Sequence, residues 1–90
     1  MEVLKQDVGL LKRDVVVRGR LKTGEEGVLV AEVSHVVDIH DVKWAAWRAR
    51  VVARALGIPA VSVVLGLTMT QGGRQAVEER HVLSVIVAEG

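Results

Sequence analysis

The chain has 90 residues, fewer than the roughly 150 of a typical domain, so a single domain over residues 1–90 is expected. Half of it is apolar, with 20 valines and with Trp44 and Trp47 but no Phe or Tyr, and Lys and Arg number 12 against 11 Asp and Glu. That describes an aliphatic, strand-rich core, and a net charge of +1 excludes a wide basic footprint, so any nucleic-acid contact has to be local or assembled by oligomerisation. The absence of Cys excludes disulfides and thiolate metal sites, no run approaches the roughly 20 apolar residues of a membrane span, and residues 1–11 lack a signal-peptide pattern, so a cytoplasmic protein is expected.

Residues 1–12 fit either an extra strand or an amphipathic turn. The β-branched stretch from Asp14 to Arg18 and the run from Val28 to Ser34 read as two strands, joined through a polar, glycine-containing hairpin of about eight residues. From Val42 to Leu56 no Gly or Pro interrupts a helical pattern. Asp38 or Asp41 can cap its start, and Gly57 followed by Pro59 ends it. Ala60 to Leu65 is apolar on both faces, which predicts a central strand covered on two sides, adjacent and parallel to the strand at Val28. A short helix is expected from Gln71 to Glu79 with Thr70 as its N-cap, weakened by Gly72 and Gly73, and Val82 to Val87 reads as a last buried strand. The order β-β-α-β-α-β with right-handed crossovers gives an α/β fold with a mixed central sheet and flanking helices.

The hairpin also carries chemistry. Side chains alternate along a strand, so Val30, Glu32 and Ser34 share a face, and a Glu inside an apolar strand is costly to bury unless it is paired or bound to a cation. Asp14 at the start of the preceding strand would bring a second carboxylate to the same end of the sheet. Two carboxylates there suit Mg²⁺, which takes one or two carboxylates, several waters and a phosphate. Alternatively, Glu32 lies on an edge or pairs with an arginine such as Arg18.

Asp14, then Glu32-Val33-Ser34, then Asp41-Val42-Lys43 opening a helix, then Gly57 and a strand together resemble the core of the PD-(D/E)XK nuclease superfamily, especially its small archaeal and bacterial members. The resemblance runs from about Lys12 to Val87, and the segment from Arg74 to Leu83 is similar to the short helix and final strand of those proteins. It implies a restriction-endonuclease-like core and assigns Asp14 and Glu32 to Mg²⁺. Where the superfamily carries its catalytic lysine, this chain has Ser34. A hydroxyl carries no charge, and losing one positioned donor to a developing anion costs about 10²–10³ in rate. Lys43 is the nearest lysine after the motif that a migrated site would use; otherwise it is a solvated helix-start residue.

His35, His40 and His81 have no spacing that converges them on a metal, which favours solvated positions. Arg48, Arg50 and Arg54 are candidate phosphate contacts on the long helix or simply its solvated face, and Trp44 and Trp47 at i, i+3 read as core or subunit-interface anchors. Three functions follow: a degenerate, non-catalytic domain that binds nucleic acid or protein; a Mg²⁺-dependent DNA nuclease using Lys43; or a ligand-free oligomerisation domain. A homodimer is expected in each case, because so small and apolar a chain has too little interior to hide its aliphatic surface.

Overall fold

The computed structural model describes residues 2–7 and 13–87, with side chains from residue 15 onward. In chain order the elements are β1 (Glu2–Asp7), β2 (Arg13–Arg20), β3 (Glu26–Val33), β4 (Val36–Val37), α1 (Ile39–Leu56), β5 (Ala60–Gly66), β6 (Thr68–Met69), α2 (Gln71–Arg80) and β7 (Leu83–Ile86). Five strands form one sheet in the order β1-β2-β3-β5-β7, and β4 and β6 form a two-residue parallel pair beside it. The β1-β2-β3 meander is antiparallel, whereas β3, β5 and β7 are parallel. The expected neighbours β3 and β5 are therefore adjacent and parallel, with α1 crossing between them.

Local chemistry accounts for the ends of α1. The helix starts three residues before the expected Val42, because Asp38 and Asp41 act together and not as alternatives. The Asp38 side chain accepts from the Asp41 N–H at 3.0 Å and the Asp41 side chain accepts from the Asp38 N–H at 3.0 Å. This capping box satisfies two of the donors that a helix start leaves open. Gly57 closes the helix in the left-handed conformation, with its N–H donating to the Ala53 carbonyl. Thr70 caps α2 as expected, accepting from the Gly73 N–H at 3.0 Å.

The hairpin loop is shorter than expected, only residues 21–25, because Gly19 and Gly27 pair with each other inside the ladder. The stretch left open at the N-terminus contributes a strand, β1, on the outer edge.

Both crossovers, β3-α1-β5 and β5-α2-β7, step the same way across the sheet, and right-handed connections then set both helices on the same face. The packing agrees. Val64 of β5 is buried in one cluster with Val42 and Ala45 of α1 and Ala76 and Val77 of α2, while Val28 and Val30 of β3 pack on Ala49 and Val52 of α1. The positions between them, Leu29, Ala31 and Val33 on β3, Val61, Val63 and Leu65 on β5, and Leu83 and Val85 on β7, belong to the opposite face. No described helix covers that face. The strands differ from expectation in two respects. β5 is central and buried on both faces at Val63 and Val64, but the described helices lie on one side of it only, and β7 is an exposed edge strand, with Leu83 and Val85 facing solvent, instead of a buried one. A continuous apolar run states that a strand avoids water on both faces; it does not supply the layer that would cover the second.

Candidate functional site

The parallel strands end together at one edge of the sheet, where α1 begins. Crossover loops separate at such carboxyl ends, which makes them the usual place for a site in α/β sheets. Glu32 is the next-to-last residue of β3 and shares the helix-covered face with Val28 and Val30. The antiparallel register sets Asp14 directly across from Glu32, so the sequence expectation of two acidic positions meeting across the hairpin holds at the backbone level; the Asp14 side chain lies outside the described residues. Arg18 pairs with Glu26 at the far end of the same hairpin. Val28, its cross-strand partner, is four residues from Glu32, about 13 Å along the strand.

Glu32 is only 3 % exposed and Ser34, two residues on, 8 %. The Ser34 backbone N–H donates to the Leu65 carbonyl at 2.9 Å and its hydroxyl donates to the Val36 carbonyl at 3.1 Å. The Ser34 side chain is thus turned onto its own loop, where it satisfies a local backbone acceptor.

The segment from Ser34 to Asp38 is held tightly. A Cβ on Gly66 would sit 2.6 Å from the Ser34 carbonyl oxygen and 2.7 Å from a Val37 methyl, and one on Gly73 would sit 2.7 Å from the Val37 carbonyl oxygen. Leu67 and Thr68 both donate backbone N–H groups to the His35 carbonyl, and Val37 is fully buried. Lys43, in contrast, is exposed. At about 100° per residue it is turned roughly 100° from Val42 and 160° from Ala45, the two side chains that α1 buries there. It lies on the exposed side of α1.

The resemblance seen in the sequence implies Mg²⁺ on Asp14 and Glu32. The ion keeps several waters and a substrate phosphate, and a carboxylate residue 3 % exposed beneath a helix offers them no open side. The described residues do not assemble a Mg²⁺ centre, and no hydrolytic step is routed through one. Among the described residues no three His, Asp or Glu side chains cluster as metal ligands, and His35, His40 and His81 are all exposed.

The outer face of α1 has a different character. Its exposed charged residues are Lys43, Arg50 and Arg54, all cations, while its one carboxylate, Asp41, is 1 % exposed in the capping box. Arg48, grouped with the other two arginines in the sequence, is half-buried and stands off this row. Trp44 and Trp47 are 42 % and 49 % exposed, so they are not core residues; Val42, Ala45, Ala49 and Val52 make the buried stripe instead. That spacing was present in the sequence and shows that the two tryptophans lie off the stripe. A groove lined by Trp47, Arg50, Val51, Arg54 and Ala55 runs beside the indole, and Arg50 also borders a second groove between α1 and α2 that holds both Glu79 and Arg80.

Known proteins share this arrangement at the level of fold and not of sequence. No family model matches the chain, and a search of curated proteins finds no significant match. Solved structures do match: EndoMS in its apo form, at TM-score 0.67 and 15 % identity, covering 98 % of this chain and 39 % of that one. A repair endonuclease from Pyrococcus abyssi and EndoMS in complex with double-stranded DNA each match at TM-score 0.65 and 17 % identity, covering 84 % of this chain and 32 % of theirs. The fold is nuclease-like. Its α/β core, with a mixed sheet and two helices in the order expected from the sequence, is of the restriction-endonuclease kind. The chain spans about a third to two-fifths of the length of these neighbours.

Proposed function

We propose that the chain is a non-hydrolysing relative of the PD-(D/E)XK nucleases that acts as a nucleic-acid-binding module, with the outer face of α1 as its contact surface. The observation that carries this reading is the one-signed charge of that face. A chain of net charge +1 places Lys43, Arg50 and Arg54 on one helix surface with no exposed carboxylate among them. Phosphate contacts need such local cations, not a basic protein overall. The structural neighbours include a repair endonuclease and a DNA complex, which supports a fold used on DNA. The loss of hydrolysis rests on Ser34 in the lysine position and on the burial of Glu32.

The test is binding of short oligonucleotides at two salt concentrations. Arg50→Ala with Arg54→Ala is expected to weaken binding by about tenfold or more at low salt. Each arginine that neutralises a phosphate contributes roughly 0.7–0.9 to the slope of log K against log salt, so the double variant is expected to lower that slope by about 1.4–1.8. Unchanged affinity and slope would remove α1 from the interface.

A specific observation also favours self-association. On the sheet face without helices the side chains of β3, β5 and β7 are aliphatic; Ala31 and Val63 are buried there, whereas Leu29, Leu83 and Val85 are exposed, and exposed apolar surface on a parallel sheet calls for a cover. We propose a second copy as the cover, because the aliphatic stretch of β5 and β7 meets its own image without like-charge repulsion, and sheet-on-sheet stacking leaves both α1 surfaces pointing outward. Light scattering is expected to return twice the 9.7 kDa chain mass, falling to one chain for Val85→Lys. A monomer at micromolar concentration, or a dimer that Val85→Lys leaves intact, would refute this interface.

A further inference from the structure

We infer that Trp44 and Trp47 form a stacking platform for unpaired bases, so that the ligand of the α1 face is single-stranded nucleic acid. This rests on the proposal that the same face binds nucleic acid, and it adds what kind. The placement of the two rings is anomalous. The protein holds two tryptophans and no Phe or Tyr, and it builds its core from valine and alanine while leaving both large aromatic rings almost half exposed on one helix. Tryptophan carries the largest apolar surface of any side chain, so leaving two of them in water forgoes a substantial burial gain.

Mutual contact explains part of this, since the ring centroids are 5.1 Å apart with a 32° tilt. That contact uses one side of each ring. What surrounds the rings then decides the partner. Lys43 precedes them and Arg50 and Arg54 follow, so cations flank the indoles over about 17 Å of helix, at 1.5 Å rise per residue. A second copy docking by this face would bring arginine against arginine, which disfavours the subunit-interface reading. An anionic partner meets no such repulsion.

Among anions, the pattern of ring, guanidinium, aliphatic residue and guanidinium suits a base followed by its phosphates. Trp47 walls a groove of about 490 Å³ that has Val51 and Ala55 along it and Arg50 and Arg54 beside it. A base stacked on the indole would leave its phosphates within the reach of the two arginines. Duplex DNA keeps its base faces stacked on one another and shows only their edges, so this surface discriminates in favour of unpaired strands. Because every base has a π-face, sequence preference is expected to be slight.

The native protein reports on the question itself, since its whole tryptophan emission comes from this face. Titration with a short oligothymidylate is expected to quench that emission. A duplex of equal length is expected to bind about tenfold or more weakly and to quench little, and inorganic polyphosphate to bind without quenching. Trp44→Leu and Trp47→Leu are expected to weaken oligothymidylate binding by about five- to a hundredfold for each stacked base removed, while leaving polyphosphate binding unchanged. Both positions are exposed, and thermal melting of each variant checks that the fold is kept. Equal binding of duplex and single strand without quenching overturns the stacking platform and leaves the nucleic-acid reading standing. No binding to any polyanion removes both. A blue shift on anionic phospholipid vesicles with no response to oligothymidylate would assign the face to a membrane surface, and blue-shifted emission in the free dimer that Trp47→Leu converts to monomer would assign it to self-association; either outcome overturns the inference.

Discussion

Gly66→Ala is expected to lower stability by about 2–3 kcal/mol, the upper part of the range for overpacking a filled core. For a domain of this size that corresponds to a fall of about 10–20 °C in melting temperature. The added methyl would sit 2.6 Å from the Ser34 carbonyl oxygen and 2.7 Å from a methyl of fully buried Val37. Neither can withdraw cheaply. Ser34 is tied to Leu65 through its backbone N–H and to Val36 through its hydroxyl, and Gly66 itself accepts from the Val87 N–H. Val37 also has Gly73 close by, where an added Cβ would lie 2.7 Å from the Val37 carbonyl oxygen. The loop that succeeds β3 is therefore clamped between the end of β5 and the start of α2, and a thermal melt of Gly66→Ala measures that clamp directly. A shift of only a degree or two would show that the loop yields and that the close approach contributes little to the fold.

The second large effect is on activity. Native protein with Mg²⁺ or Mn²⁺ is expected to cleave neither double- nor single-stranded DNA above background. In the proposed reading a serine in the lysine position alone costs about 10²–10³ in rate, and Glu32, at 3 % exposure, leaves little room for a hydrated metal with its phosphate. Lys43→Ala is expected to change nothing in this assay, because Lys43 lies on the outer surface of α1. Ser34→Lys separates the two causes. If the missing cation were the whole deficit, the variant would gain metal-dependent cleavage; with Glu32 enclosed, no gain is expected, and an amine forced into a site 8 % exposed should cost stability instead. Robust cleavage by the native chain, abolished by Glu32→Ala and by Lys43→Ala, would overturn the non-hydrolysing reading and establish the migrated-lysine nuclease.

The sequence by itself determined the features that depend on neighbours in the chain. Asp38, Gly57 and Pro59 bracket α1, Thr70 starts α2, and the apolar runs on either side of α1 pair as the parallel strands β3 and β5. The Asp14 to Glu32 register followed from the hairpin. Capping and side-chain alternation act over two to four residues, so a pattern of residues is enough to read them. Tertiary structure decided the rest. The brief pairing of β4 with β6 joins segments about 30 residues apart and leaves no periodic trace in so few residues. The depth of Glu32 depends on where α1 lies across β3, and the exposure of Trp44 and Trp47 on which stripe of α1 the sheet accepts. The one-sided placement of the helices is of the same kind: two right-handed crossovers stepping in one direction put both on one side, and handedness and strand order are properties of the assembled sheet that no single apolar run encodes.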